Sequence, residues 1–408
     1  VTDPRDFGLD NLPFGIITDA RSDEKRPAVA FEDKVIDIDC LVHQGALDAE
    51  SLLGTPTLNA FLAEGRETWT AVRARLQHLL GPSATTDERR IVEKATLARD
   101  AVTMHLPIAV GDYVDFYSSI EHATNLGRIL RPNAEPLLPN YRHIPIGYHG
   151  RSGTVVVSGT PVHRPHGQRK PPDAPTPTFG PSQLLDVELE MGWIAGPAST
   201  HGEPIPADAV RDHVFGYVLL NDWSARDIQA WEYQPLGPFL AKSFATSISP
   251  WIVTLDALEP FRVPEPKRDP EPLPYLRATE QWAYDIELEM LLQTEQMRRS
   301  GTPPVTISRT NFRGMYWTVA QQLAHVTSNG AHVRPGDLFG TGTISGSEHG
   351  TQGSFIELTS RGANPLTLPS GEKRAFLEDG DTVVMRGRAI RGEKRIGFGE
   401  VVGTIVPG

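Results

Sequence analysis

The segment Leu184-Leu-Asp-Val-Glu-Leu-Glu-Met-Gly192 sets three carboxylates at alternate positions. Side chains alternate faces along an extended strand. Asp186, Glu188 and Glu190 therefore share one face, while Leu185, Val187, Leu189 and Met191 cover the other. Like charges on one face repel, and something must offset them. A solvated edge strand does this cheaply. Inside a β-rich domain a bound cation does it instead.

Two further acidic positions stand in unusual contexts. Asp115 lies in Asp112-Tyr-Val-Asp-Phe-Tyr-Ser-Ser-Ile-Glu-His122, and Asp222 directly follows an apolar run in Leu219-Leu-Asn-Asp-Trp-Ser-Ala-Arg-Asp227. Taken alone, Asp222 reads as a helix N-cap. A site built only from carboxylate oxygens suits a hard cation such as Ca²⁺, Mg²⁺ or Mn²⁺. Zinc prefers nitrogen and sulfur ligands, and no closely spaced His/Cys cluster is present.

Arg226, Gln229 and Tyr233 follow at helical spacing and share a face if the segment 223–233 is helical. A cation, an amide and a phenol so placed grip an oxyanion or a carboxylate. A solvated polar face is the alternative. Lys242 sits in the apolar string Gly237-Pro-Phe-Leu-Ala-Lys-Ser-Phe244. Buried lysines need partners, and the acidic cluster would supply one. His122 is one of 13 histidines, and His149 in Gly147-Tyr-His-Gly-Arg151 is an equal candidate on local sequence.

These side chains need elements to hold them. Phe14–Ile17 and Pro27–Ile38 read as a small β unit with a turn at Glu32-Asp33. Trp69, Val72, Leu76, Leu79 and Leu80 predict a helix over 66–80, ended by Gly81-Pro82. The pattern changes near Pro107, which suggests domains over 1–107 and 108–408. Beyond it, β-rich runs alternate with Gly/Pro turns at Thr154–Ser158, Leu184–Met191, Phe215–Leu220, Trp251–Leu255, Phe355–Leu358 and Thr382–Met385. One helix interrupts them, with Met315, Val319, Leu323 and Val326 on one face and Gly330 after its end. Two proline-rich stretches, 164–179 and 260–274, read as loops rather than strands. The fold class is mainly β within α+β, mostly antiparallel.

Composition narrows the classes. The chain has 408 residues, 39% hydrophobic and 22% charged, which suits two folded domains. A formal charge of −12 without a basic patch argues against nucleic acid as a partner. Cys40, the single cysteine, excludes an internal disulfide and reads as a small buried hydrophobe rather than a nucleophile. With no apolar run of spanning length and no apolar signal core, the expectation is a cytoplasmic protein without a membrane partner.

Several strings resemble the fumarylacetoacetase family. They are Asp115-Phe-Tyr-Ser-Ser119, Glu121-His-Ala-Thr-Asn125, Pro145-Ile-Gly-Tyr-His-Gly-Arg151, the acidic run Leu184–Met191, Asn221-Asp-Trp-Ser-Ala-Arg-Asp-Ile-Gln229, Trp231–Phe239, Gly342-Thr-Ile-Ser-Gly346 and Arg395-Ile-Gly-Phe-Gly399. They keep family order over about three quarters of the chain. The resemblance implies a small SH3-like N-terminal β domain and a large β-roll catalytic domain. It implies Asp115, Glu188, Glu190 and Asp222 as ligands of Ca²⁺ or Mg²⁺, with Lys242 and Thr246 near a second, structural cation. It implies His122 as general base oriented by Glu357, and Arg226, Gln229 and Lys242 as oxyanion donors. Tyr117, Arg131, Tyr148, Gln229, Tyr233 and Thr343 would hold a β-diketo acid. The implied reaction cuts a carbon–carbon bond of 4-fumarylacetoacetate, yielding fumarate and acetoacetate in tyrosine catabolism, in a homodimer.

That chemistry suits these residues. Carbon leaves as a carbanion only if its charge moves onto oxygen as an enolate, and a cation on the diketo oxygens stabilises that charge. Two rival readings remain. One is another hydrolase, isomerase or decarboxylase of the same superfamily acting on an acylpyruvate or related oxo acid. The other is a non-catalytic β protein in which the carboxylates hold a cation only to brace strands.

Overall fold

The computed structural model describes residues 3–408. Its N-terminal part begins with strands β1 (Phe14–Asp19), β2 (Ser22–Phe31) and β3 (Lys34–Asp37). Helices α1 (Arg66–Leu80) and α2 (Thr86–Ala95) follow, then strands β4 (Thr96–Ala98) and β5 (Val102–His105). The strands form an antiparallel sheet in the order β4-β3-β2-β1-β5. The turn at Glu32-Asp33 lies where expected, with Glu32 at φ 51°. Helix α1 has the expected bounds and buries Trp69, Val72, Leu76 and Leu79. Helix α2 was not expected, although its capping box, Thr85 with Glu88, is written in the sequence. Cys40 is half-buried rather than buried, and burial raises its thiol pKa, which makes it a poor nucleophile.

The N-terminal sheet does not keep its core to itself. Phe215 packs edge-on against Phe14, Phe61 and Trp69, at centroid distances of 5.7, 5.8 and 5.1 Å. Backbone bonds also join Phe14 to Ile252. One apolar cluster therefore runs from Leu12 and Phe61 through to Ile194, Leu220 and Leu338.

The central sheet positions the chemistry. In chain order it draws on β6 (Tyr113–Phe116), β7 (Gly147–His149), β8 (Val155–Val157), β9 (Leu189–Ala195), β10 (Val214–Asp222), β11 (Thr246–Ile248) and β12 (Leu338–Gly340). Their spatial order is β7-β6-β12-β9-β10-β11-β8, with Val253–Thr254 added beside β10. The pairs β12–β6 and β11–β8 are parallel, and the rest are antiparallel. A second sheet, built around Glu287–Gln293, Val305–Asn311, Thr382–Arg391 and Lys394–Val406, covers the other side of the core. The result is the expected strand-rich α+β fold. No helix among the described residues is long and apolar enough to cross a membrane.

Several local expectations are corrected. The acidic run is not one strand: Leu185–Asp186 pairs with Ser224–Ala225, and β9 starts only at Leu189. The Asp186 carboxylate turns back onto the Val187 N–H, and the ladder breaks there. Phe355–Leu358 is a single helical turn, not a strand. The stretch 164–179 contributes a strand, His166–Arg169, paired with Thr178–Pro181, because the pairing residues before Pro181 are free of proline. The later helix runs over Val319–Thr327 behind a Thr318/Gln321 capping box, which leaves Met315 outside.

Candidate active site

Four carboxylates converge at one end of the central sheet. Asp115 comes from β6, Glu190 from β9 and Asp222 from the last position of β10. Glu188 lies just before β9, where its N–H bonds to Asn221 Oδ1 at 3.1 Å and its carbonyl accepts from the Asp222 N–H at 3.3 Å. Each offers one oxygen, and these four atoms lie within 4.8 Å of one another. All four residues are buried, and β9 is a central strand, so the solvated-edge reading fails. The N-cap reading of Asp222 fails too: the helix Arg226–Glu232 starts four residues later and has Ala225 at its cap.

The sheet leaves room for this crowding. Gly340 on β12 faces the cluster, and a Cβ there would stand 2.7 Å from Asp115 Oδ1 and 3.0 Å from Glu190 Oε2. Only glycine fits. The Gly342 N–H, at φ 80°, donates to Glu190 Oε2 at 3.0 Å.

Two buried cations meet the cluster. The Lys242 ammonium donates to Glu188 Oε2 and, at 2.7 Å, to Asp222 Oδ2. Arg226 reaches Asp186 Oδ2 through Nε at 2.8 Å and Glu188 Oε1 through Nη2 at 2.8 Å, and its Nη1 donates to Gln229 at 3.1 Å. The Tyr148 hydroxyl donates to Asp222 Oδ2 at 2.8 Å.

Charge is distributed unevenly. Burial pushes Asp115 and Glu190 well above the ordinary carboxylate range, and the neighbouring carboxylates push further. Asp222 is raised too, chiefly by burial. Burial alone would also raise Glu188, but Lys242 and Arg226 outweigh it and hold its carboxyl low. Two cations against five buried carboxylates, Asp186 included, leave excess negative charge. Asp115 Oδ1, Glu190 Oε1 and Asp222 Oδ1 find no hydrogen-bond donor in the protein. Buried anionic oxygens without donors are costly unless a cation faces them. This all-oxygen, converging set fits a hard divalent metal.

Beside the cluster stands a buried dyad. His122, on the helix Ile120–Leu130, places Nδ1 at 2.7 Å from Glu357 Oε2. The same carboxylate accepts from Ser345 Oγ at 2.9 Å, Ser354 Oγ at 2.7 Å and Asn125 Nδ2 at 2.9 Å. With Nδ1 so engaged, Nε2 is the ring atom left for proton transfer. The ring of Tyr117 meets that of His122 edge-on at 5.3 Å. Thr343 is buried with a free hydroxyl, and Thr246 is buried opposite Asp222 in register.

Not every candidate is drawn in. His149 is exposed, on the strand face opposite to its neighbour Tyr148. Tyr233 is exposed beyond the helix end and bonds to Gln234, and Arg131 caps its own helix and donates to the Pro136 carbonyl at 2.8 Å. Among the described residues, no hydrogen bond joins either to the acidic cluster.

The chain's similarity to known proteins accords with this geometry. The family model described as Fumarylacetoacetate (FAA) hydrolase C-terminal matches residues 113–406, and Fumarylacetoacetase N-terminal matches 10–107. The chain belongs to the fumarylacetoacetate hydrolase family. Over 413 residues it is 46% identical to the fumarylacetoacetase of Homo sapiens and 45% identical to that of Rattus norvegicus, in each case with 100% of this chain and 98% of the relative covered. The solved fumarylacetoacetate hydrolase from psychrophilic Exiguobacterium antarcticum superposes with a TM-score of 0.54 at 16% identity, covering 97% of this chain and 100% of that one. That likeness supports the fold alone.

The strings bearing Asp115, His122, Tyr148, Glu188, Glu190, Asp222 and Arg226 meet at this site, whereas Arg395 pairs with Asp3 and Asp6 and the string Trp231–Phe239 is largely exposed. Sequence reasoning missed the residues that hold Glu357. Asn125 had a signal, since it lies three residues after His122 on the same helix face. Ser354 had one too, since it stands three residues before Glu357; Ser345 had none, because only the folded chain brings it to the carboxylate.

Proposed function

We propose that this protein hydrolyses 4-fumarylacetoacetate to fumarate and acetoacetate, the activity that the names of its relatives state for them. The observation that carries the reading is the buried His122–Glu357 dyad set beside a four-carboxylate cluster and two buried cations. His122 Nε2 takes a proton from water as the water oxygen bonds to the fumaryl ketone carbon. Glu357 holds the imidazole in that orientation and stabilises its protonated form. The resulting alkoxide is met by Arg226, Gln229 and Lys242. Its collapse breaks the carbon–carbon bond. The electron pair leaves on the acetoacetate carbon as an enolate, which then takes up a proton.

Asp115, Glu188, Glu190 and Asp222 would hold Ca²⁺ or Mg²⁺, with Lys242 and Thr246 bordering a second, structural cation. When bound, the first cation supplies Lewis-acid stabilisation of negative charge on the diketo oxygens. Tyr117, Arg131, Tyr148, Gln229, Tyr233 and Thr343 would hold the substrate and its two acidic arms. In this reading residues 1–107 form the SH3-like domain and 108–408 the catalytic domain of a cytoplasmic homodimer in tyrosine catabolism.

The test is the ultraviolet decay of fumarylacetoacetate with metal-loaded protein, with and without a chelator. Decay abolished by the chelator is expected. No decay with the loaded protein, or faster turnover of a plain acylpyruvate, would overturn the assignment.

A further inference from the structure

Asp186 shares the sequence pattern of Glu188 and Glu190 but stands outside the four-oxygen cluster. It is fully buried and accepts four hydrogen bonds. Oδ1 takes the Val187 and Phe355 N–H groups, both at 2.7 Å. Oδ2 takes the Ile356 N–H at 3.0 Å and Arg226 Nε at 2.8 Å. Two of these donors open the one-turn helix Phe355–Leu358, and the next residue along it is Glu357. A single turn is too short to hold itself, and its own cap residue, Ser354, makes no side-chain cap bond. Ser354 Oγ bonds to Glu357 instead. Asp186 thus supplies from a distant segment the acceptor that the turn needs.

The same carboxylate pins the Arg226 fork. With Nε held by Asp186, the planar guanidinium must aim Nη1 at Gln229 and Nη2 at Glu188. The strand Leu185–Asp186 pairs with Ser224–Ala225, immediately before Arg226, so both ends of the link are anchored by backbone.

We propose that Asp186 is a positioning residue that locks the Arg226 guanidinium to the helical turn bearing Glu357. The oxyanion donors and the oriented base are then held as one rigid unit. The inference rests on the hydrolase reading above for its kinetic arm only, because the link itself is readable without substrate.

Asp186→Asn keeps shape and loses the charge and half of the acceptor capacity. Expected are a fall in kcat of about 10- to 100-fold, in the range for groups that orient reacting residues, with KM and cation affinity within about threefold. A merely structural role would instead lower the yield and melting temperature and leave kcat per folded molecule intact. The Asp186→Asn penalty should shrink in both the Glu357→Gln and the Arg226→Lys backgrounds. A penalty undiminished in either, or a wild-type kcat in Asp186→Asn, overturns the proposal. Amide exchange at Phe355 and Ile356 should quicken at least about tenfold in Asp186→Asn, and unchanged exchange overturns it whatever the substrate proves to be. If the Asn variant does not accumulate, Asp186→Glu, which keeps the charge and misplaces it, is read by the same criteria.

Discussion

Nδ1 of His122 lies 2.7 Å from Oε2 of Glu357, although 235 positions separate the two residues along the chain. The carboxylate is itself held by Asn125, Ser345 and Ser354. The imidazole can therefore turn only one nitrogen towards a substrate. Replacing His122 by Ala should leave fold and cation binding intact and lower turnover on the order of 10²–10⁴-fold. Steady-state kinetics on the metal-loaded variant check this, and near-normal kcat would remove His122 from the mechanism.

The dyad also sets a pH limit on stability. Burial by itself would raise the Glu357 carboxyl, but His122 and the bonds from Ser354 and Asn125 outweigh it, so the net direction is down. A depressed carboxyl contributes stability that is present above its unfolded value of about 4.3 and is lost as pH falls through the folded value. Glu357→Gln should therefore be less stable than wild type near neutrality and lose stability less steeply below about pH 4.3. Thermal melts across pH 3–7 test the slope, and parallel curves would contradict the shift.

Cation binding should be strongest at high pH. Burial and mutual repulsion raise Asp115 and Glu190. In chelated protein such carboxyls contribute stability below their unfolded pKa and lose it as pH rises through the folded value. A bound cation relieves that repulsion. The melting-temperature gap between loaded and chelated protein should thus widen as pH rises from 5 to 8, as scanning calorimetry would show. A constant gap would mean that protons and metal do not compete for these oxygens.

Lys242 is buried between Glu188 and Asp222. Lys242→Met leaves both carboxylates facing a hydrocarbon, at a cost of about 3–5 kcal/mol for a broken buried pair. Urea titration measures the loss, which should be greater with a chelator present. A change under about 1 kcal/mol would place the pair with exposed ones.

Phe215 belongs to the catalytic sheet but packs on Phe14, Phe61 and Trp69 of the N-terminal part. Phe215→Ala should destabilise by about 3–5 kcal/mol and in a single transition. Two separate transitions in calorimetry would show that the two parts unfold independently.

Local patterns were legible wherever a local cause suffices. Helix Arg66–Leu80 follows from apolar spacing and a closing Gly-Pro. Strand β10 follows from its unbroken apolar run. The turn Phe355–Leu358 was not legible, because its apolar residues suit a strand equally and its cap comes from Asp186, far away in sequence.

The sequence by itself determined the residue types of the site: carboxylates, an arginine, a lysine and a histidine, in strings that mark the family. Periodicity placed Asp186, Glu188 and Glu190 together because strands alternate. Only the tertiary structure decided which carboxylates share a site. Asp115 and Asp222 arrive there because β6 and β10 are drawn into one sheet around β12 and β9. Asp186 leaves because four donors claim its oxygens. Alternation is a property of neighbouring residues, whereas satisfying a buried charge depends on every group the fold brings within reach.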